Sequence, residues 1–310
     1  MPGKSDSNDR HAGSESAELR MEPLRRRAAT ALERGLTFVE AHGNPFSRLR
    51  VQVLLEAVPP DRGIDALSAR QNRDGSFVRL GQVLPGALEA DLAAAGVPDP
   101  LLGTFEALRI LSDQRGLHAA AAEKAVDFLA SVQQEDGSWG PEPGDRAAEE
   151  GVEGVRLFVT GCLTGLLGGT RFARPQLLES AGRYLAAEWK PERIVTGGWA
   201  DLAAFASYFA NVPSDASEAA LEWCGRELER GFRAGHFDAR ETLRVLRSCN
   251  VMALPGASLG IQELLSTLLG EQDEDGGFAA EEPTGSAGRV GPTLDAMLGL
   301  LALCRHGSGA

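Results

Sequence analysis

The sequence predicts an all-α protein built as a single (α/α)6 toroid of six helical hairpins, and three observations carry that expectation. A glutamine, acid-glycine and aromatic cluster is written three times, as QNRDGSF at 71–77, QQEDGSWG at 133–140 and QDEDGGF at 272–278. Amphipathic segments precede such clusters, and segments with few charges follow them. The surplus length sits between turn and inner helix, at 78–100, 140–150 and 279–291, in Pro- and Gly-rich stretches such as PEPGDRAAEEG and EEPTGSAGRVGP, which read as rim loops.

Each element can be justified in chain order. Weaker relatives of the turn end at Phe46 (GNPF), Trp199 (GGW) and Phe237 (GHF), bringing the hairpins to six. The segments RRRAATALERGLTFVEA, GLHAAAAEKAVDFLASVQQ, RPQLLESAGRYLAAEW and SEAALEWCGRELERGF place apolar residues three or four apart with charges between. That is the pattern of an outer helix with one wet face. After the turns come FSRLRVQVLLEAV, LLGTFEALRILSD, GVRLFVTGCLTGLLGG, ADLAAFASYFANV, DARETLRVLRSCNV and PTLDAMLGLLALC, in which small or apolar residues cover most of the helix surface. Such helices are expected inside. Within the turn, Gln71, Gln133 and Gln272 end an outer helix and can satisfy its free backbone groups. Gly75, Gly137 and Gly276 let the chain reverse, and the aromatic closes against the neighbouring hairpin.

The bulk properties bound the function classes. A hydrophobic fraction of 43% supports a substantial core in one domain over residues 22–306, while 6% aromatics means that Leu, Ala and Val must fill it. The excess of 44 acidic over 31 basic residues, net −13, argues against a nucleic-acid partner. Cys162, Cys224, Cys249 and Cys304 lie far apart with no CxxC pair, as expected of reduced cytoplasmic thiols. Residues 1–21 are polar and read as a disordered tail without a signal-peptide core, and 307–310 as a short second tail. The run LDAMLGLLALC is too short and interrupted to span a membrane.

The Q…DGSW and DGGF turns resemble the glutamine-tryptophan repeats of squalene–hopene cyclase and the prenyltransferase β-subunit repeat, over roughly residues 22–306. The resemblance implies a terpenoid cyclase-like enzyme that takes an isoprenoid or other apolar chain into a cavity opening where the inner helices begin. No D-x-D-D motif is present, since DED at 273–275 belongs to a turn. Where the prenyltransferase zinc histidine would stand the sequence has Pro292, so no metal is expected beyond Mg²⁺ should the substrate carry a diphosphate.

Candidate chemistry lies at the starts of the inner helices. Aligning them by apolar pattern brings Glu106, Asp201, Glu241 and Asp295 into register, with Asp295 or Asp201 as the preferred proton donor. Helix-start acids are favoured by the macrodipole and by capping alone, whereas crowded acids in an apolar cavity would raise one another's pKa. The substrate-binding candidates are Phe105, Phe158, Phe205, Tyr208 and Phe209 as cavity lining, His236 and Asp238 at the rim, and Arg289 as partner for a diphosphate. Two rival readings are a non-catalytic toroid binding a lipid or protein, and a carbohydrate-active (α/α)6 enzyme using two of the carboxylates.

Overall fold

The turns and the alternation of helix types produce an all-helical chain. A computed structural model describes residues 6–81, 83–84, 86–141, 151–280 and 285–306. Its helices are α1 (Asp6–His42), α2 (Pro45–Leu54), α3 (Pro60–Ser68), α4 (Gly86–Ala94), α5 (Asp99–Asp113), α6 (Ala120–Ser131), α7 (Val152–Gly168), α8 (Pro175–Glu188), α9 (Pro191–Asn211), α10 (Ser217–Arg233), α11 (Ala239–Ser248), α12 (Ile261–Gly270) and α13 (Val290–His306). Among the described residues there is no strand; isolated bridges Gln71–Phe77 and Gln272–Phe278 close two of the repeated turns.

The segments with few charges are the buried ones. Leu101 through Leu108 of α5 are all buried, as are Leu157 through Gly165 of α7 and Asp201 through Phe209 of α9. The outer segments bury one stripe each: α8 buries Leu177, Ala181 and Leu185, at the four-residue spacing of one helix face. Small residues let α7 and α9 approach closely. Gly161, Gly165 and Gly168 meet Ala204, Ser207 and Asn211, and a Cβ at Gly165 would lie 2.1 Å from the Ser207 hydroxyl.

The three strong turns are one construction used three times. The Gln71 side-chain amide donates to Gly75 O within its own turn and to Ala121 O of α6, both at 2.9 Å. Gln133 does the same to Gly137 O and to Leu177 O of α8. Gln272 donates to Gly276 O and to Ala31 O of α1. Each glutamine therefore ties its turn to the next outer helix along, and the last ties the end of the chain to its beginning. Gly137 has φ +92° and lies so near Ser180 O of α8 that a Cβ would come within 2.1 Å, so both its conformation and its space demand glycine. The aromatics Phe77, Trp139 and Phe278 have no exposed surface.

An inner-helix threonine completes the unit. Thr104, Thr160 and Thr293 accept the backbone N–H of Phe77, Trp139 and Phe278 at 3.1, 2.9 and 3.0 Å. The Trp139 indole N–H donates to Leu129 O at 2.9 Å. Arg156 and Arg289, each one helical turn before its threonine, reach back to the turn acids, Asp136 for the former and Asp273 and Asp275 for the latter.

The helical backbone of α1 runs from Asp6 to His42. Several expectations are corrected. The stretch 78–100 carries α4 rather than a bare rim loop, and 279–291 contains a short 3-10 helix, Ser286–Arg289. The GGW turn is a kink inside α9, where Gly198 adopts φ 69° and ψ −152°. Most of the 140–150 loop lies outside the described residues.

Trp139→Ala should lower unfolding free energy by about 3–5 kcal/mol in a denaturant titration, as for other buried aromatics. Thr293→Val keeps the shape but removes the acceptor of Phe278 N–H. It should cost about 1–3 kcal/mol in the same measurement.

Candidate functional site

The four aligned carboxylates do not share a site; each has its own partners. Glu106 is fully buried, and its Oε2 accepts Leu80 N–H at 2.7 Å and Gly81 N–H at 3.3 Å. Its Oε1 faces Arg79 Nε at 3.5 Å, an ion pair too long to be a hydrogen bond, and both atoms lack hydrogen-bond partners. Burial pushes the Glu106 pKa up against those backbone donors and Arg79. Asp201 is 5% exposed, and burial raises its pKa against the pull of Arg193, whose Nε lies 3.0 Å away.

Glu241 caps α11. Its backbone N–H donates to Asp238 Oδ1 at 2.7 Å, and its carboxylate accepts Asp238 N–H at 2.9 Å, a reciprocal capping box. Asp238 is thus the N-cap of α11, and neighbouring His236 is exposed in the turn after α10. Asp295 lies deep between helices and receives Arg244 Nε at 2.6 Å and Arg247 Nη1 at 2.9 Å. Burial alone would raise its pKa, but Arg244, Arg247 and Arg109 outweigh it and hold the acid at about 2. It is ionised at neutral pH and cannot donate a proton.

The remaining candidates serve the packing. Phe105, Phe158, Phe205, Tyr208 and Phe209 are all buried. Phe105 meets Phe158 edge-on at 6.0 Å, while Trp189 packs edge-on against Phe205 and Phe209 at 4.9 and 5.1 Å. Only Phe105 of the five touches one of the cavities described below. Arg289 is committed to its turn, with nitrogens 2.6 Å from Asp273 and 2.7 Å from Asp275 and its guanidinium 5.0 Å over the Phe38 ring.

What the helices bring together is a cluster of arginines. Arg247 bridges Asp295 of α13 and Asp113 of α5, the latter at 2.8 Å, and Arg244 completes the link from α11. Burial would lower the Arg247 pKa, but Asp113 and Asp295 raise it further. Arg50 of α2 and Arg109 of α5 stand near the same two acids, and burial lowers the pKa of both. Four guanidiniums thus face two carboxylates inside a chain whose net charge is strongly negative.

Two cavities adjoin this cluster. One of about 40 Å³ is lined by Phe105, Arg109, Cys162, Ser207, Arg244 and Arg247 among others. The other, of about 550 Å³, is bounded by the C-terminal parts of α2 and α5, the segment to Pro60, and α13. Its walls are apolar at Val53, Leu54, Val58, Ile110, Leu294 and Leu298, and polar at Arg50, Glu56, Asp113, Gln114, Arg115 and Arg305. That volume suits a small ligand. It lies where α2 and α5 end, not where they begin as the sequence suggested. Among the described residues no group of three or more His, Cys, Asp and Glu side chains converges to hold a metal, and no helix is long and apolar enough to cross a membrane.

Aligning on acids missed the arginines. Arg244 and Arg247 stand three apart on an inner helix, and Arg50 and Arg109 interrupt others; charges on otherwise apolar helices were the available signal. The threonine register was also readable, in GTFE, VTGC and PTLD, which place Cys162 level with Glu106 and Asp295.

No family model and no curated relative matches the chain. A crystal structure of a protein from Actinoplanes is similar, with a TM-score of 0.56 and 16% identity over 89% of this chain and 99% of that chain. At that identity the likeness is one of fold.

Because the folded-state pKa of Asp295 is depressed, its ion pairs contribute fully above the unfolded carboxylate range, and that contribution vanishes as pH falls through about 2. Urea titrations from pH 5 downward should lose about 2 kcal/mol from this residue between pH 4 and 2. Asp295→Asn leaves two buried guanidiniums uncompensated. It should cost about 3–5 kcal/mol at pH 7 and flatten that part of the acid limb.

Proposed function

We propose that the chain is a six-hairpin (α/α)6 ring, of the kind the repeat turns suggest, and that it binds an apolar chain in the 550 Å³ cavity instead of protonating one. The ring reading draws on the three glutamine ties, the last of which joins α12 and α13 to α1. The observation that carries the binding reading is the separation of acid from cavity. A cyclase needs a buried acid, protonated and in contact with substrate space. Among the described residues the acids with raised pKa, Glu106, Glu188, Asp201 and Glu271, do not line the cavity, and the acids that do, Asp113 and Glu56, are paired with Arg247 and Arg305.

The second reading, acid-initiated chemistry on an isoprenoid, keeps one supporting observation. Glu106 is fully buried, with Oε1 free of hydrogen bonds and a raised pKa.

Titration with 1-dodecanol followed by calorimetry separates the two. Saturable binding should weaken at least about tenfold in Leu298→Trp, which fills the cavity from its half-exposed wall, and stay unchanged in Glu106→Gln and Asp201→Asn. Turnover of an isoprenoid that either amide variant abolishes without loss of thermal stability would establish the catalytic reading instead.

A further inference from the structure

The large cavity holds one feature that an apolar ligand leaves unused. Arg50, on the buried face of α2, is 9% exposed and lines the cavity. Its neighbours on that face, Phe46, Ser47 and Val53, are buried too. Among the described residues nothing donates to it, accepts from it or lies within ion-pair distance. Asp113 and Asp295 act on it only through space, and Arg247, which takes both of those carboxylates, repels it. The contrast with the other cavity residues is sharp. Arg305 pairs with Glu56 at 2.8 Å, Asp113 pairs with Arg247, and Arg115 is exposed at the mouth.

A buried guanidinium without a partner is costly, because its desolvation is repaid only by hydrogen bonds to an anion or a neutral acceptor. An arginine of this kind, largely buried and turned to a cavity without an ion-pair partner, calls for an explanation. Resting on the reading of this cavity as an apolar-chain site, we propose that Arg50 receives the carboxylate head of an amphiphilic ligand whose apolar tail lies against Val53, Leu54, Ile110, Leu294 and Leu298.

The charge state of the head follows from the walls. The planar fork of one guanidinium matches the two oxygens of one carboxylate, forming two parallel hydrogen bonds. Asp113 and Glu56 also line the cavity, so a second negative charge on the ligand would meet their repulsion, with only the exposed Arg115 to offset it. A monoanion is thus favoured over a phosphate or diphosphate dianion, and over the uncharged alcohol, which leaves the guanidinium unpaired.

Calorimetric titration of the full chain at pH 7 with dodecanoate, 1-dodecanol, dodecyl phosphate and inorganic pyrophosphate tests this. Dodecanoate should bind about tenfold or more tightly than 1-dodecanol, and dodecyl phosphate more weakly than dodecanoate. Arg50→Met should bring dodecanoate down to the affinity of the alcohol while leaving the alcohol unaffected, and Arg50→Lys should retain part of the preference. Equal binding of acid and alcohol by the parent chain overturns the carboxylate assignment and leaves the apolar-chain reading standing. Tighter binding of dodecyl phosphate or of pyrophosphate overturns it in favour of a phosphate head. Failure of all four to bind removes the apolar-chain reading and this one together. Should Arg50→Met not fold, the parent chain still decides. Its preference for dodecanoate over the alcohol must fall as pH drops through the ligand's own carboxylate range, and a preference independent of pH rejects the ion pair.

Discussion

The structure depends on one shared hydrogen-bond donor. A glutamine side-chain amide has two N–H groups, and in each strong turn one closes the turn while the other reaches a carbonyl of the next outer helix. Neither bond is strong alone, since a net hydrogen bond contributes about 0.5–1.5 kcal/mol. Their value is geometric. The amide fixes the turn relative to a neighbour, the glycine lets the backbone come into contact, and the aromatic beneath fills what remains. The threonine on the following helix then takes the aromatic's own N–H, so that this buried backbone donor is paired. Turn, outer helix and inner helix are thereby locked by one motif spread over three segments.

How much of this was legible in the sequence varied with how local the cause is. The turns were readable because Asp-Gly, the glutamine and the aromatic sit within seven residues. The buried helices were readable because freedom from charge runs along a continuous segment. Phe158 and Phe205 were placed on buried helices but assigned to a cavity wall, since residue type does not distinguish an aromatic facing space from one facing another aromatic. The acids illustrate the same limit. Glu241 and Asp238 form a local capping box that spacing alone announces, whereas the pairing of Asp295 with Arg244 and Arg247 spans about fifty residues and leaves no trace in either segment.

The buried charges set a different constraint. Asp295, Arg244, Arg247 and Asp113 join α5, α11 and α13 through bonds that only their full set satisfies, so the cluster is favourable as a whole and costly in part. It specifies which helices meet more than it stabilises their meeting. Arg50 and Arg109 stand at its margin without that compensation, and the two cavities open beside them. An interior of this sign within an acidic chain concentrates positive potential where the outer surface repels anions, so any anion admitted is held by local fork geometry and not by long-range attraction.

The tie between Gln272 and Ala31 spans 241 positions of sequence. The carbonyl awaiting that amide lies on the buried face of α1 with Ala28, Ala31, Phe38 and Val39, and during synthesis it meets that amide only after the intervening residues have been made. At the usual pace of elongation that interval is on the order of ten to fifty seconds. The run of arginines at 25–27 gives α1 charge to stay dissolved through that interval. A contact so distant in sequence also places the docking of α12 and α13 on α1 among the last events of folding.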